Sequence, residues 1–329
     1  MTETTPVQTL LSISLGYGLT RCLQVVADFG VADALDDTPQ TAADLASRTG
    51  AHGGALERVL RLLVAHSVFS SQGGSYSHTP ASRLLRADHP QSMRSLIRMT
   101  AIPAFTSAFG VLDDAVRTGA PVLDKVVPGG LWKYFSTRPE ESRVFDEAMT
   151  GKAWGQIAGV LSAYDFSTFD CIADIGGGRG HLLKAVLAKT PHASGVLFDL
   201  AQALQNAAAA SDRLQLQSGD FFKDVLPTCD AYLLMDVLHD WNDEDSLKIL
   251  QAIRRVAPQQ AKVLVIEGVV TESPSGNANL KMLDIWMLLL GGRQRSQREF
   301  ADLFTKAGFT FSREIGIGPD ASILEAVAA

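Results

Sequence analysis

The spacing of apolar and polar positions changes near residue 166. Before that point apolar residues recur mostly at helical intervals, and residues 96–165 are typical of helices separated by prolines. After it, short apolar runs alternate with amphipathic segments, which indicates a parallel sheet with crossover helices. The strands predicted in this second region are 171–175, 195–199, 214–218, 230–235 and 262–267.

The last two apolar runs, 308–317 and 321–327, are joined by Gly318, Pro319 and Asp320. Turn residues between two short apolar runs predict a hairpin. A hairpin here adds an antiparallel strand to the sheet. The fold predicted for this region is therefore α/β, with a mostly parallel sheet that ends in an antiparallel strand.

The N-terminal region has its own pattern. Residues 7–36 are apolar around most of a helix, which predicts burial either between subunits or in the core. A helix over 42–49 precedes a second helix over 55–66 and a hairpin turn at 72–75. Helix, helix and hairpin in this order outline a winged helix.

A winged helix can bind DNA or mediate dimerisation. DNA binding requires basic residues on the second helix and the hairpin. The second helix carries Arg58 and Arg61, but residues 70–79 contain no Lys or Arg. The net charge of −7 also disfavours a nucleic-acid partner. The pattern favours a dimerisation domain that helps to cover a substrate site.

Composition is typical of a soluble globular protein, with 46% hydrophobic and 20% charged residues. The three cysteines form no CxxC pair, and their odd number argues against a disulfide scaffold, so we predict a reducing cytoplasm. The N-terminus lacks a basic region followed by a long apolar run, which argues against a signal peptide. The longest uninterrupted apolar run considered, 285–290, is too short to span a membrane.

The strand at 171–175 leads directly into a glycine-rich turn at 176–180 and then into a helical pattern. This layout lets a backbone approach a nucleotide-like ligand at a helix N-terminus. The dinucleotide fingerprint would require a glycine at His181, so the fitting glycines are those at 176, 178 and 180. The alternative is a tight turn that binds no ligand.

Acidic residues follow the next predicted strands. Asp199 lies 23 positions after Gly176, near the spacing at which a carboxylate meets ribose hydroxyls in such sheets. A carboxylate can accept hydrogen bonds from both hydroxyls, and the alternative role is to cap the following helix. After the third strand, Asp220 is placed to accept from an adenine amino group, and Phe221 to pack on the ring.

The residues after the strand at 230–235 carry the strongest further signal. His239 lies beyond a strand end on the ligand edge, and Trp241 adds a flat apolar surface. Asn242 is predicted to cap the next helix, with the acids 243–245 in its first turn. A structural histidine that bonds a backbone group is the alternative, but the position at the ligand edge favours a functional one.

The acids in this stretch also raise the question of a metal. Asp236, Asp240 and Asp243 could supply carboxylates to Mg²⁺. Consecutive acids at a helix start point in different directions, however, and no His or Cys spacing supports zinc. No metal is predicted.

Four segments together carry a family resemblance. They are Gly-Gly-Gly-Arg-Gly at 176–180, Gly-Asp-Phe-Phe at 219–222, Leu-His-Asp-Trp-Asn-Asp-Glu-Asp at 238–245 and Gly-Gly-Arg-Gln-Arg-Ser at 291–296. With them the chain resembles, nearly end to end, the plant-type small-molecule O-methyltransferases that use S-adenosylmethionine. This family includes caffeate and flavonoid enzymes and a bacterial branch that acts on phenazines and aromatic polyketides.

The resemblance implies a fold, a cofactor and a partner. The expected fold is a class I methyltransferase Rossmann-like sheet preceded by a mostly helical, winged-helix-like dimerisation domain. The expected domains are 1–95 for dimerisation, 96–165 for a helical connector and substrate lid, and 166–329 for catalysis. The implied reaction methylates a phenolic hydroxyl of a small aromatic metabolite and releases S-adenosylhomocysteine. The implied assembly is a homodimer formed through the N-terminal domain.

The resemblance also assigns residues. His239 takes the role of general base, and Glu267 that of the acid that orients it. Met149 and Met287 match methionines that sandwich an aromatic substrate, and Asp240 matches a residue that contacts substrate oxygens. The residues expected to bind the cofactor, from strand-end position or from the resemblance, are Gly176, Gly178, Asp199, Asp220, Phe221, Met235 and Trp241.

Two positions depart from the family pattern. Gln294 replaces a typical Glu, and an amide can accept a hydrogen bond but cannot stabilise an imidazolium by charge. Met235 replaces a Lys or small polar residue. Some family members use the bound cofactor for other chemistry, so loss of methyl transfer is the alternative function, against which the retained His239 argues.

Overall fold

The structure, a computed structural model, describes residues 5–205, 207, 210–271, 273 and 276–329, and the side chain of Trp132 is not included in the description. Residues 1–4, which bear on the signal-peptide prediction, lie outside the described residues. The chain forms two compact units, one of residues 1–110 and 126–152 and the other of 111–125 and 153–329. The predicted segment 96–165 is thus divided between the two units.

The first unit is mainly helical. As predicted, two consecutive helices precede a hairpin, whose two strands pair antiparallel with each other. A third, shorter strand pairs antiparallel with the second strand of the hairpin, which therefore lies in the middle of this small sheet. The elements up to residue 110 are α1 Pro6–Asp28, α2 Val31–Ala34, β1 Gln40–Thr41, α3 Ala42–Thr49, α4 Gly53–Ala65, β2 Phe69–Gln72, β3 Ser75–His78, α5 Pro80–Arg83, α6 Arg94–Met99 and α7 Pro103–Phe109. Further helices are α8 Leu112–Thr118, α9 Leu123–Val126, α10 Gly130–Ser136 and α11 Pro139–Ala163.

Helix α1 corrects one sequence-based prediction. It is 23 residues long and, by length and composition, apolar enough to cross a membrane. No long uninterrupted apolar run marks this helix in the sequence, because Gly, Ser and Thr separate its Leu and Ile residues. Core helices of soluble proteins and signal sequences pass the same test, so the finding alone assigns no location. Only 17% of the most apolar window is buried within this chain.

The second unit contains a seven-stranded sheet in the order β6-β5-β4-β7-β8-β10-β9. Strands β4 to β8 are parallel, and β10 runs antiparallel to both β8 and β9, so the predicted final hairpin is confirmed. The remaining elements are β4 Cys171–Ile175, α12 His181–Lys189, β5 Ser194–Asp199, α13 Ala201–Leu204, β6 Leu214–Ser218, β7 Ala231–Met235, a 3₁₀ turn Leu238–Asp240, α14 Asp243–Val256, β8 Lys262–Glu267, α15 Ala278–Leu290, α16 Gln297–Ala307, β9 Phe309–Gly316 and β10 Ser322–Ala328.

Both faces of this sheet are covered. Tyr232 and Leu234 of β7 belong to one apolar cluster, together with residues of α14 and α16, whereas Leu233 lies in a second cluster with residues of α11 and α12. Alternate residues of a strand point to opposite faces, so a strand covered on both sides is apolar throughout. In the inner parallel strands, at 171–175, 194–199, 231–235 and 262–267, the charged side chains therefore lie at or next to the strand ends, where the site forms.

The structure also pairs two cysteines. Cys171 begins β4 and Cys229 precedes the neighbouring strand β7, and the two residues form a disulfide with Cα atoms 4.8 Å apart. Their separation of 58 residues gave no local signal in the sequence. The odd cysteine count therefore no longer supports the prediction of a reducing compartment.

Candidate active site

The glycine loop, residues 176–180, connects β4 to α12. Gly176, Gly178 and Gly180 all have positive φ angles, of 70°, 56° and 72°. A Cβ at Gly178 would meet no atom within 4 Å, so at this position glycine is required by the backbone angle and not by packing. The backbone of Gly178 consequently faces open space, as a close approach to a ligand requires.

Asp174 precedes the glycine loop in the sequence motif, but no role was predicted for its side chain. It is 1% exposed at the end of β4, and a Cβ at Gly177 would overlap its carboxyl group. Burial, together with the negative charge of Asp199, raises the pKa of Asp174 to about 7. The available signal was an acid one residue before a glycine-rich turn, near the end of an apolar strand.

Asp199, at the end of β5, binds the glycine loop. Its Oδ2 accepts a hydrogen bond of 2.8 Å from the backbone N–H of Gly178, and its Oδ1 accepts one of 2.6 Å from that of Leu200. Burial raises the pKa of Asp199, and these two amides act in the opposite direction. The carboxylate therefore lies at the glycine loop. The alternative role as a helix cap is not observed, because Leu200 is the N-cap residue of α13 and no side chain caps this helix.

Asp220 and the aromatic residues lie after β6. The Asp220 carboxylate accepts from the Phe222 backbone N–H at 2.9 Å and from Lys223 Nζ at 2.7 Å, and the hydrogen bond from Lys223 is the main cause of its lowered pKa. Phe221, Phe222 and Trp241 contact one another edge-on, with ring centroids 4.8–5.8 Å apart. The structure thus brings the predicted Phe221 and Trp241 together and adds Phe222.

The His239 loop, residues 236–241, follows β7. Asp236 has a φ of 54°, an uncommon angle for a residue other than glycine. A Cβ at Gly176 would lie 3.1 Å from Val237 Cγ2, so this loop packs directly against the glycine loop. Met235 is half-buried at the end of β7, and Asn242 caps α14 as predicted, since its Oδ1 accepts from the Asp245 backbone N–H at 2.9 Å.

Glu267, at the end of β8, holds the backbone of the His239 loop. Its Oε1 accepts hydrogen bonds from the backbone N–H groups of Val237, Leu238 and His239 at 3.2, 2.6 and 3.2 Å. The side chain is fully buried, and burial raises its pKa. Glu267 therefore contacts the histidine through the main chain, whereas the sequence analysis expected it to orient the ring.

The ring of His239 is held by Gln294. The His239 side chain is buried, and its Nδ1 lies 2.9 Å from Gln294 Nε2. Its Nε2 lies 3.5 Å from Oδ1 of the exposed Asp240. The predicted candidates His239 and Asp240 thus lie together, with the unusual Gln294 as the ring's neighbour.

Arg295 and Gly292 complete the support of this loop. The fully buried Arg295 guanidinium donates to the carbonyl oxygens of Leu238 and Trp241 at 2.9 and 2.8 Å. A Cβ at Gly292 would overlap the carbonyl oxygen of His239, so only glycine permits this approach. The segment 291–296 therefore holds the His239 loop through side-chain and backbone contacts, a role that its sequence alone did not reveal.

The two predicted substrate methionines lie in different units. Met287 is buried on α15 of the second unit, and its carbonyl accepts from the N–H groups of Gly291 and Gly292 at 2.8 and 2.9 Å. Met149 lies on the part of α11 that belongs to the first unit. Among the described residues, no group of three or more His, Cys, Asp or Glu side chains could hold a metal ion.

Comparison with known families identifies both regions of the chain. The model of the O-methyltransferase domain matches residues 109–310, and that of the O-methyltransferase dimerisation domain matches residues 11–88. The second match covers most of α1 and the winged-helix elements.

Similar proteins are found along nearly the whole chain. The phenazine O-methyltransferase PhzM of Lysobacter antibioticus is 38% identical over 325 residues, which cover 96% of this chain and 95% of the relative. The mitomycin biosynthesis 6-O-methyltransferase of Streptomyces lavendulae is 33% identical, with coverage of 95% and 92%. The solved structure of CalO1, a methyltransferase in calicheamicin biosynthesis with S-adenosylhomocysteine bound, matches with a TM-score of 0.89 and 33% identity, covering 99% of this chain and all of that one.

A glycine loop after β4, acids at successive strand ends and a terminal antiparallel hairpin define the second unit as a class I methyltransferase. The chain belongs to the O-methyltransferase family whose members carry this domain behind an N-terminal dimerisation domain. It is an S-adenosylmethionine-dependent O-methyltransferase.

Proposed function

We propose that this enzyme methylates a hydroxyl group of a small aromatic metabolite, with His239 as the general base. The observation that carries this proposal is the buried imidazole of His239 at the carboxyl edge of the sheet, in a loop that packs on the glycine loop. A phenol has a pKa of roughly 10 and is mostly protonated at neutral pH. A base that removes its proton as the new bond forms is therefore needed, and imidazole is suited to it.

The residues present fit S-adenosylmethionine. The open backbone at Gly178, the Asp199 carboxylate and the aromatic group of Phe221 and Trp241 lie at the ends of adjacent strands. When bound, the cofactor supplies a methyl group on a positively charged sulfur. The protein must hold the acceptor oxygen in line with that carbon, because orientation supplies much of the rate. His239 takes up the hydroxyl proton, and S-adenosylhomocysteine is the second product.

We assign the cofactor contacts to the residues that the sequence indicated. Gly176 and Gly178 allow the backbone to approach, Asp199 accepts from ribose hydroxyls, and Met235 packs near the sulfur. In this proposal Asp220 accepts from the adenine amino group, with Phe221 and Trp241 beside the ring. The contact of Lys223 with Asp220 leaves accepting capacity on that carboxylate, which has about four lone-pair sites.

Asp199→Ala is expected to weaken S-adenosylmethionine binding roughly 10- to 100-fold, since hydrogen bonds to a charged group contribute about 1.5–3 kcal/mol each. Isothermal titration calorimetry measures this directly. Asp302→Ala removes an exposed carboxylate from α16 and serves as the matched control. Unchanged affinity in Asp199→Ala would refute the ribose role.

The acceptor class follows from chemistry and from the relatives. Two similar proteins are described as a phenazine O-methyltransferase and a 2,7-dihydroxy-5-methyl-1-naphthoate 7-O-methyltransferase, so their acceptors are fused aromatic rings. We propose an acceptor of this kind, packed by Met287 and contacted through its oxygens by Asp240. The role of Met149 stays a prediction from the family resemblance. Incubation with labelled cofactor and a panel of hydroxylated aromatics, read by mass, tests this acceptor class. A family member that had lost methyl transfer would form no S-adenosylhomocysteine with any of them.

We propose that the enzyme works in the cytoplasm, where its methyl donor is made. We also propose that it forms a homodimer whose interface includes α1. The dimerisation-domain match includes residues 11–28 of this helix. Leu10, Ile13, Leu15 and Tyr17 are 68–72% exposed in the single chain. Contiguous exposed apolar surface of this kind marks an interaction site, and a second copy of the helix region would cover it.

The double variant Leu10→Asp, Ile13→Asp is expected to weaken the dimer roughly 10²- to 10⁴-fold, because each buried apolar side chain contributes about 1.5–3 kcal/mol. Light scattering over a dilution series measures the dissociation. Val116→Asp, at an equally exposed apolar position on α8, is the control and should leave the assembly unchanged. A double variant that still dimerises at wild-type concentrations would place the interface elsewhere.

A further inference from the structure

In the described part of the chain, the hydrogen-bond partner of the His239 ring nitrogen Nδ1 is an uncharged side chain. Gln294 Nε2 lies 2.9 Å from it, and Gln294 is 4% exposed. The backbone around this contact is fixed, since the Gln294 N–H donates to Asp284 Oδ1 at 2.7 Å and the Arg293 N–H donates to the His239 carbonyl at 2.9 Å. The side-chain amide of Gln294 can still rotate.

The direction of this hydrogen bond determines where the ring carries its proton. An amide NH₂ group can only donate, so Nδ1 accepts and the neutral ring has its proton on Nε2. A ring in this tautomer has no free lone pair at Nε2 and cannot accept a proton there. In this arrangement His239 is not a base at the nitrogen that faces Asp240.

Rotation of the Gln294 amide by 180° would move the ring proton of His239 from Nε2 to Nδ1. Oε1 then accepts from an Nδ1–H, and Nε2 of the ring gains a free lone pair. Gln294 Oε1 is buried without a hydrogen-bond partner among the described residues, so the present arrangement leaves an acceptor unused that the rotated one would satisfy. Oε1 now lies near Gly268, and a Cβ at that residue would be 3.2 Å from it. Because Gly268 has no side chain, either end of the Gln294 amide fits beside it.

We propose that Gln294 is a positioning residue that sets the tautomer of His239 and, because it is uncharged, restricts methyl transfer to acceptors with unusually acidic hydroxyl groups. This inference rests on the proposed role of His239 as base. A carboxylate at position 294 could only accept, would hold the proton on Nδ1 and would favour the imidazolium by its charge. An amide does neither, so the ring is the weaker base.

The other charged groups around the ring do not replace that carboxylate. Glu267 of β8 uses its Oε1 on three backbone N–H groups of the loop, and it also interacts with His239 by charge, but burial raises its pKa and so favours its neutral form. Asp240 lies 3.5 Å from Nε2 but is 58% exposed at its side chain, where water screens its charge. Arg295 adds a positive charge at the Leu238 carbonyl, with Asp243 as its ion-pair partner, and Asp236 lies near enough to Glu267 to raise its pKa.

The expected acceptors are therefore hydroxyl groups on electron-poor rings, such as fused rings that contain nitrogen or conjugated carbonyl groups. Such hydroxyls ionise closer to neutral pH than an ordinary phenol and need less help from a base. Ordinary phenols should be poor substrates of the wild-type enzyme even when they fit the site.

The test compares the wild-type enzyme with Gln294→Glu over a series of phenols of graded acidity. In Gln294→Glu we expect kcat/KM to rise about 10-fold for the least acidic phenols and to change little for the most acidic ones. The acid limb of its pH–rate profile should move up by about one unit, because the ring stays protonated to higher pH beside a carboxylate. Gln297→Glu, an exposed change of equal charge three residues away, is the matched control.

A second readout does not depend on turnover. Nitrogen-15 NMR of the labelled histidine ring distinguishes a proton on Nδ1 from one on Nε2. We expect the Nε2–H form in the wild-type protein and only Nδ1–H or the imidazolium in Gln294→Glu. Identical spectra, acidity series and pH profiles in the two proteins would overturn the inference while leaving the methyltransferase intact. Absence of S-adenosylhomocysteine with every phenol tested would instead reject the proposed function.

Discussion

His239→Ala is expected to lower kcat about 10²- to 10⁴-fold, the range that a positioned general base contributes. The ring lies in the loop that contacts the glycine loop through Val237, so it can act on an acceptor beside the cofactor. S-adenosylmethionine affinity should change little, because none of the proposed cofactor contacts uses the imidazole. Steady-state kinetics and calorimetry on the same preparation separate the two effects.

The loss should depend on the acceptor. An acidic hydroxyl ionises without help, so His239→Ala should retain most activity on the most acidic phenols and lose most of it on the least acidic. His192→Ala removes an exposed histidine and should behave as wild type. Undiminished turnover of weakly acidic phenols by His239→Ala would mean that another group takes the proton.

Glu267→Ala is expected to lower the free energy of unfolding by about 3 kcal/mol or more and to reduce turnover as well. The substitution leaves three buried backbone N–H groups without their acceptor, and each such group costs about 1–3 kcal/mol. These groups belong to the loop that carries His239, so the base loses its position. Denaturant unfolding followed by two optical probes measures the stability.

Glu267→Gln is the matched control because its amide oxygen can still accept. It should keep most of the stability and most of the turnover that Glu267→Ala loses. The two variants would be indistinguishable if Glu267 acted on the ring through its charge alone.

Glu267 also predicts a pH dependence. Burial raises the pKa of Glu267 above the unfolded-state value of 4.5. At pH values between the unfolded and the folded pKa, the folded protein therefore binds more protons than the unfolded chain. The free energy of unfolding should therefore fall as pH rises from the unfolded value through the raised one, and Glu267→Gln should remove this contribution. A pH dependence of unfolding that is the same in both proteins would contradict the raised pKa.

The sheet was predictable because its signals are local. The strand ends at Ile175, Asp199 and Glu267 follow from short apolar runs bounded by glycine or acid, and these runs are nearly continuous because the strands are buried on both faces. The edge strand that ends at Ser218 instead alternates Leu and Gln. Their common edge then follows from the parallel arrangement, so the approximate place of the site was also predictable.

The inner contacts of the site were not predictable from spacing. Gln294 meets His239 across 55 residues, and Glu267 meets the His239 loop across 28 to 30 residues. The spacing of residues in a sequence does not show which of two polar side chains contacts a histidine ring and which contacts the backbone. The exposure of α1 was left open for a similar reason, since an apolar helix has the same pattern in a core and at an interface.

The strand order has a consequence for how the enzyme is made. β10 lies between β8 and β9 in the sheet but follows both in the chain, so β9 leaves the ribosome before the strand that it pairs with. Ser322, which begins β10, is the antiparallel partner of Glu267. The strand that carries Glu267 therefore gains its second neighbour only after β9 has been made, and a nascent chain that has not yet released residues 322–328 cannot complete the sheet beside the His239 loop.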